Sequence, residues 1–372
     1  MERALRRRRQ VALGTLSCLA LAAFALGATL GNGPASEAKT NVAATLSLPQ
    51  LAGERIVSGL DGTSVSPALR AAIREGKVAG VVLFAGNFPS RAAGRRLIAR
   101  LQGIPRPPKL RDPLLVMVDQ EGGQVKRVSG APTASAQEMG ARGAGFSAHQ
   151  GSRTAANLRD LGVNVDLAPV LDVERPGGVI AATERSFGST AARVSATAIP
   201  FAEALQEGGV AATGKHFPGF GAARENTDFS VERIDLSKHE LRAVDEKPYE
   251  PFVAAGGKLV MLSTAVYPAF SEDPAAFTRA IATGELRDRL GFEGVSITDS
   301  LETPAVERFG SPAKAALAGT WAGDDLLLFP RLAPAQRARR VLLAKLRSGA
   351  LNRGQFEGSV SRVLELRASL PR

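Results

Sequence analysis

Eight short apolar runs, at 56–59, 80–84, 114–119, 163–169, 211–216, 259–264, 295–299 and 326–329, recur along the chain. They do not alternate apolar with polar residues. A strand with one wet face alternates; a strand apolar at successive positions is buried on both faces, as in a parallel sheet covered by helices. Ala- and Arg-rich stretches with helical spacing lie between them at 66–75, 91–102, 147–161, 192–208 and 312–322. Eight strand–helix units in one chain of 372 residues predict an α/β fold, a TIM-like (β/α)8 barrel. A doubly wound open sheet is the alternative. Two helices follow the last run. One covers 335–348 and closes at Gly349, a favoured residue just past a helix end. The other starts at Asn352, with Gln355 three residues on in a capping-box pattern. Its residues Phe356, Val360, Val363 and Leu364 form an apolar stripe, so the tail is expected to pack on the barrel.

The first 45 residues read differently. Arg6-Arg7-Arg8-Arg9 precedes residues 11–31, a stretch without charge. A positive flank before an apolar run is the export pattern. The run also approaches the roughly 20 residues that span a bilayer, so a cleaved signal and a retained membrane anchor both fit. Residues 32–45 are small and polar, as in a linker. Two parts are expected: a signal or anchor plus linker over 1–45, and a barrel domain with a helical tail over 46–372. The location expected is extracytoplasmic, secreted or attached to the cell envelope.

Composition excludes several chemistries. Cys18 is the only cysteine, so neither an internal disulfide nor a cysteine-based metal site can form. Five of the positive charges behind the net +11 fall within the first ten residues. The rest are interspersed with acids and suit a solvated basic surface or attraction to anionic envelope polymers. No nucleic-acid recognition motif accompanies them. There is no P-loop, and Gly219-Phe220-Gly221 departs from a dinucleotide fingerprint at Arg224. Three histidines are too few for a His-rich metal cluster, and His149 and His239 read as surface residues. Asp119 with Glu121 is the one pair suited to a hard cation; no metal is expected.

The polar residues that remain sit where a barrel does its chemistry, at the C-terminal ends of strands. Asp119-Gln120-Glu121-Gly122-Gly123 ends the third run and Asp172 follows the fourth. Lys215-His216 ends the fifth and Asp299 ends the seventh, while Arg127 and Arg185 lie on loops. Acids and bases on one rim are the residue types that orient a hydroxyl-rich ring. A retaining glycosidase needs a carboxylate nucleophile and a second group as acid and base.

Five segments carry a resemblance. They are Asp119-Gln120-Glu121-Gly122-Gly123-Gln124-Val125-Lys126-Arg127, Val165-Asp166-Leu167-Ala168-Pro169-Val170-Leu171-Asp172, Glu184-Arg185-Ser186-Phe187-Gly188, Gly214-Lys215-His216-Phe217-Pro218-Gly219-Phe220-Gly221 and Gly291-Phe292-Glu293-Gly294-Val295-Ser296-Ile297-Thr298-Asp299-Ser300-Leu301. In this order they resemble the family-3 glycoside hydrolases, specifically the single-domain β-N-acetylhexosaminidases that trim N-acetylglucosamine from peptidoglycan-derived sugars. The resemblance implies a TIM-like barrel, no cofactor, a carbohydrate substrate and a monomer. It implies Asp299 as the nucleophile and Asp119, Arg127, Arg185, Lys215 and His216 as the residues that hold the terminal sugar. The acid/base of such proteins is an Asp-x-His dyad on the loop after the fifth strand. Asp228 matches the aspartate, but Ser230 stands at the histidine, and Phe220 replaces a histidine common after Pro-Gly. Another group, such as Asp228, Glu225 or Glu302, would have to protonate the leaving group. The alternatives are a slow or inactive glycan-binding pseudoenzyme of the cell envelope, or another specificity such as β-glucosidase.

Overall fold

The computed structural model describes residues 42–371. The arginine cluster, the apolar span 11–31 and Cys18 lie outside the described residues. Eight parallel strands form the frame: β1 (Ile56–Gly59), β2 (Gly80–Val82), β3 (Leu115–Val118), β4 (Val165–Asp166), β5 (Ala211–Phe217), β6 (Leu259–Leu262), β7 (Val295–Thr298) and β8 (Leu327–Phe329). Each pairs with its sequence neighbour, and β1 pairs with β8. Between β7 and β8, Ile297 bridges Leu326, and Thr298 N–H donates to the Leu326 carbonyl at 3.0 Å. That contact closes the sheet into the expected barrel and rules out the open sheet.

The non-alternating runs have a direct cause. Val82, Met117, Val165, Met261, Ile297 and Leu328 point into the barrel interior. Their neighbours Val81, Val116, Val118 and Val260 point outward against the helices. Both faces are dry, so neither needs polar residues. The fourth run is expected over 163–169, but its ladder is only two residues long. Pro169 has no N–H to donate, and pairing resumes at Val170, opposite Lys215.

The helices that follow the strands in turn are α1 (Pro67–Arg74), α2 (Arg91–Gln102), α3 (Ala144–Leu161), α4 (Ala191–Glu207), α5 (Tyr249–Ala254), α6 (Ala280–Arg289, a π-helix), α7 (Pro312–Ala322) and α8 (Leu332–Arg347). Ser66, Ser90, Thr190 and Ser311 cap α1, α2, α4 and α7 through their hydroxyls, each satisfying a backbone donor that the first helical turn leaves free. The tail helix α9 (Arg353–Ser369) is capped by Asn352. Its Val363 and Leu366 join the interior cluster of the barrel, so α9 plugs the end where the strands begin. The plug is polar as well as apolar. Arg367 is fully buried, ion-paired with Glu54, and donates to the carbonyls of Leu110, Asp112 and Pro113 at 2.7–3.0 Å. Among the described residues no helix is long and apolar enough to cross a membrane.

Candidate active site

All seven residues selected from the sequence meet at the open end of the barrel. Asp119, Arg127, Arg185, Lys215, His216, Asp228 and Asp299 line one cavity of about 430 Å³. That size and concavity suit a small ligand.

The floor is an ion cluster built around a lysine. Asp119 follows β3, and Glu121 lies in a short hairpin of Gln120–Gly122 against Val125–Lys126. Gly122 and Gly123 turn that hairpin with φ of 96° and 53°, a region where side chains other than glycine are strained. The turn carries Glu121 to the same cation as Asp119. Lys215, only 2% exposed, places Nζ 2.8 Å from Asp119 and 2.7 Å from Glu121. Arg185 grips Glu121 with two bonds of 2.7 and 2.8 Å, the geometry in which arginine binds carboxylate best. Arg127 reaches Asp119 at 3.2 Å. Burial disfavours both carboxylates, yet Lys215 and Arg127 hold Asp119 below the ordinary value. Burial works against Glu121 too, and Arg185 with Lys215 hold it far below that range. Burial likewise opposes the Lys215 charge, but Asp119 and Glu121 raise its pKa. The cluster is thus a fixed set of charges at neutral pH.

The oxygens of Asp119 and Glu121 are engaged by ammonium and guanidinium groups, and among the described residues no cluster of three or more metal-ligating side chains occurs.

The histidine is held by a residue that the sequence reading placed on the rim without a role. Asp172 is completely buried and accepts three hydrogen bonds. His216 Nδ1 donates to Oδ2 at 2.7 Å, and the backbone N–H groups of His216 and Phe220 donate to Oδ1 at 3.0 and 2.7 Å. An ionised carboxylate only accepts, so Nδ1 carries the proton and Nε2 is left for the cavity. The Phe220 ring lies 5.6 Å from the imidazole and forms part of the wall. Gly221 has no room for a side chain, since a Cβ there would sit 1.8 Å from the Val173 carbonyl oxygen.

Asp166 lies deeper. It is fully buried, with Oδ1 accepting from Gln120 N–H at 2.9 Å. Burial pushes its carboxyl up to about 8.

Asp299 follows β7 and is half-buried in the cavity wall, its Oδ1 accepting from Ser300 N–H at 2.7 Å. Asp228 faces the same cavity from the loop after β5, together with Asn226 and Thr227. Asn226 organises that loop. Its side-chain oxygen accepts from Asp228 N–H at 2.9 Å, and its carbonyl accepts from Phe229 and Ser230 at 2.9 and 3.2 Å. Partial burial, then the negative charge of Asp299, push the Asp228 carboxyl above its usual value, against a weaker pull from Asn226. Ser230 is not part of the cavity lining; its hydroxyl donates to Glu232 at 3.2 Å. Glu225 and Glu302 are also outside the lining. Glu302 is tied to the backbone N–H and guanidinium of Arg331, at 2.9 and 2.5 Å. Of the carboxyl groups the sequence offers as proton sources, only Asp228 reaches the cavity.

Comparison with known proteins gives a consistent picture. The glycosyl hydrolase family 3 N-terminal domain matches residues 46–366. An uncharacterized secreted glycosyl hydrolase of Arthroderma benhamiae is 35% identical over 338 residues, which cover 88% of this chain and 95% of that protein. A beta-hexosaminidase of Thioalkalivibrio sulfidiphilus is 34% identical over 73% of this chain and 79% of its own length. Among solved structures, a beta-N-acetylhexosaminidase from Beutenbergia cavernae superposes with a TM-score of 0.79 at 29% identity, covering 87% of this chain and 99% of that one. A family 3 beta-N-acetylglucosaminidase from Paenibacillus sp. gives 0.82 at 33% identity over 87% of this chain. The chain spans 63% of the length of that last protein.

Proposed function

The chain belongs to glycosyl hydrolase family 3, and on that premise we propose that it is a retaining exo-β-N-acetylhexosaminidase, releasing terminal β-linked N-acetylglucosamine from cell-wall-type sugars. The observation that carries this reading is the convergence of Asp299, Asp228 and the Lys215-centred ion cluster on one cavity. In the proposed mechanism Asp119, Arg127, Arg185, Lys215 and His216 bind and orient the terminal sugar. Asp299 attacks the anomeric carbon and the bond to the leaving oxygen breaks. Asp228 gives its proton to that oxygen, then takes one from the water that hydrolyses the glycosyl-enzyme. The raised pKa of Asp228 supports the acid role, because a donor must still hold its proton near the working pH.

Export fits the leader-like residues 1–45, with membrane attachment through 11–31 as one of its two forms, and the relative named as secreted supports it. Residues 46–372 then act outside the cytoplasm, with peptidoglycan fragments as the substrate class. The packing of Ala43 in the core draws the start of the folded unit slightly earlier. A second reading, a glycan-binding protein with little turnover, is favoured by the position of Ser230 away from the cavity. The two separate on a pair of N-acetylglucosaminides. A working acid cleaves both an activated nitrophenyl glycoside and a natural disaccharide; without an acid only the first is cleaved. Turnover of neither would reject the hydrolase reading, and activity that survives Asp299→Ala would reject Asp299 as the nucleophile.

A further inference from the structure

A second cavity, of about 500 Å³, lies between α6, the end of α7 and the first turns of α9. Its inner wall is the end of the barrel where the strands begin: Arg55 precedes β1, and Asp325 behind it precedes β8. The catalytic residues occupy the other end. Arg55, Arg279, Arg287 and Arg362 line this cavity, and no acidic side chain is among the lining residues.

The charges around it do not balance. Asp325 is buried and shared by Arg287, at 2.6 Å, and Arg362, also at 2.6 Å. Burial keeps the neighbouring Asp324 carboxyl well above its usual range. Arg55 donates to backbone carbonyls of Asp324 and Asp325 and forms no ion pair of its own among the described contacts. Arg279 is exposed and has no ion pair or hydrogen bond among them. Four guanidiniums therefore line the cavity, and among the described residues Asp325 is the one carboxylate ion-paired with any of them. Burial lowers Arg55 to about 10 and also lowers Arg287, with Asp325 opposing in both cases, as expected for positive charge with too little compensation. Trp321, the single tryptophan of the chain, is 53% exposed on the wall. It supplies a flat apolar face beside the guanidinium groups.

We propose that this cavity is an anion-binding site separate from the catalytic pocket, taking a phosphate-bearing sugar with the phosphate on the arginines and the ring against Trp321. Arginine forks match phosphate oxygens, and an aromatic face accepts the apolar side of a ring. A free sugar phosphate and a phosphate-bearing wall glycan share this chemistry.

The test uses the whole protein and the emission of Trp321, which no other tryptophan obscures. Glucose 6-phosphate, inorganic phosphate, glucose and a phosphodiester-linked wall polymer are titrated at fixed ionic strength, with calorimetry as a second readout. Saturable binding of glucose 6-phosphate is expected, weakened about tenfold in Arg279→Glu, the loss of one charge-assisted contact, while cleavage of a hexosaminide is unchanged. Arg279 is exposed and in no ion pair among the described contacts, so its replacement should leave the fold intact. Tighter binding of the polymer than of glucose 6-phosphate would point to the wall glycan as the source, and the reverse to a soluble sugar phosphate. The proposal is overturned if no anion binds saturably, if glucose binds as well as its phosphate, or if Arg279→Glu leaves the affinity unchanged. None of these outcomes depends on whether the catalytic pocket cleaves its substrate.

Discussion

Replacing Lys215 by methionine isolates the electrostatic core of the site. The side chain is buried and similar in length, so packing is largely kept while one charge disappears. At 2.8 and 2.7 Å, each carboxylate attracts Nζ with roughly 6 kcal/mol at an effective dielectric of about 20. Desolvation of the buried charges offsets most of this gross attraction. Removing one member of a buried pair typically costs 3–5 kcal/mol, because its partner is stranded. Here neither carboxylate is fully stranded, since Glu121 keeps Arg185 and Asp119 keeps Arg127. The expected loss is therefore near the low end, about 3 kcal/mol at pH 7. The pH dependence follows from the direction of the shifts. In the native protein Asp119 and Glu121 are lowered, so they contribute stability above their unfolded pKa, and it is lost only as pH falls through the lower folded values. Without Lys215 both folded values rise, and protonation relieves the repulsion sooner. Urea denaturation of Lys215→Met beside the native protein should show a gap that narrows between pH 7 and pH 5. A gap below about 1 kcal/mol at pH 7, or one that does not change with pH, would refute a cluster held together by Lys215.

Asp172→Asn should keep the two backbone N–H contacts and present an amide where Oδ2 accepts from His216. The imidazole then loses its Nδ1–H acceptor, so the tautomer should change. The readouts are the His216 ¹⁵N shifts and a drop in kcat/KM of about 10–100-fold, by analogy with the carboxylates that orient metal-binding histidines; unchanged shifts would count against the assignment. Asp166→Asn tests the buried acid. Its folded pKa of about 8 lies above the unfolded value of about 3.9, so native stability should fall as pH climbs from 5 to 8. That slope should be shallower in the variant, measured by urea midpoints, and equal slopes would contradict a protonated Asp166. Ser230→His should raise the rate on a natural disaccharide more than on a nitrophenyl glycoside, because acid assistance is worth typically 10²–10⁴-fold on a poor leaving group. Equal effects on both substrates would mean that the loop does not aim residue 230 at the leaving oxygen.

How far the sequence could be read depends on distance along the chain. The strands were legible because burial on both faces is a local property: Val81 and Val82 are both apolar whatever lies beyond them. Asp119, Lys215, His216 and Asp299 were legible because strand ends are local too, whereas the loop residues Arg127, Arg185 and Asp228 took their place in the site from the resemblance. What local reading cannot supply is pairing. Asp172 and His216 are 44 residues apart, and no spacing shows that one orients the other. Glu121 was visible only as half of a cation pair with Asp119. Its bond to Lys215 depends on a hairpin turned by two glycines and on a strand 94 positions later. Arg55, Arg279, Arg287 and Arg362 are scattered over three hundred positions among many other arginines, so their cavity exists only in the folded chain.

A serine at position 230, where the resemblance implies a histidine, can be understood in the same terms. Asn226 holds the loop through its side-chain oxygen and its carbonyl, and all three donors are backbone N–H groups. Any residue except proline supplies that N–H, so the side chain at 230 can change without moving Asp228. Glu232 then gives the serine hydroxyl an acceptor away from the cavity. Compared with the histidine the resemblance implies, serine lacks one titratable group, while the carboxyl two residues earlier shares its cavity with Asp299. Two carboxyls sharing a site cannot ionise as easily as one, and this repulsion adds to the burial that already raises the Asp228 carboxyl. In the proposed mechanism, this nearness to Asp299 favours Asp228 as the acid.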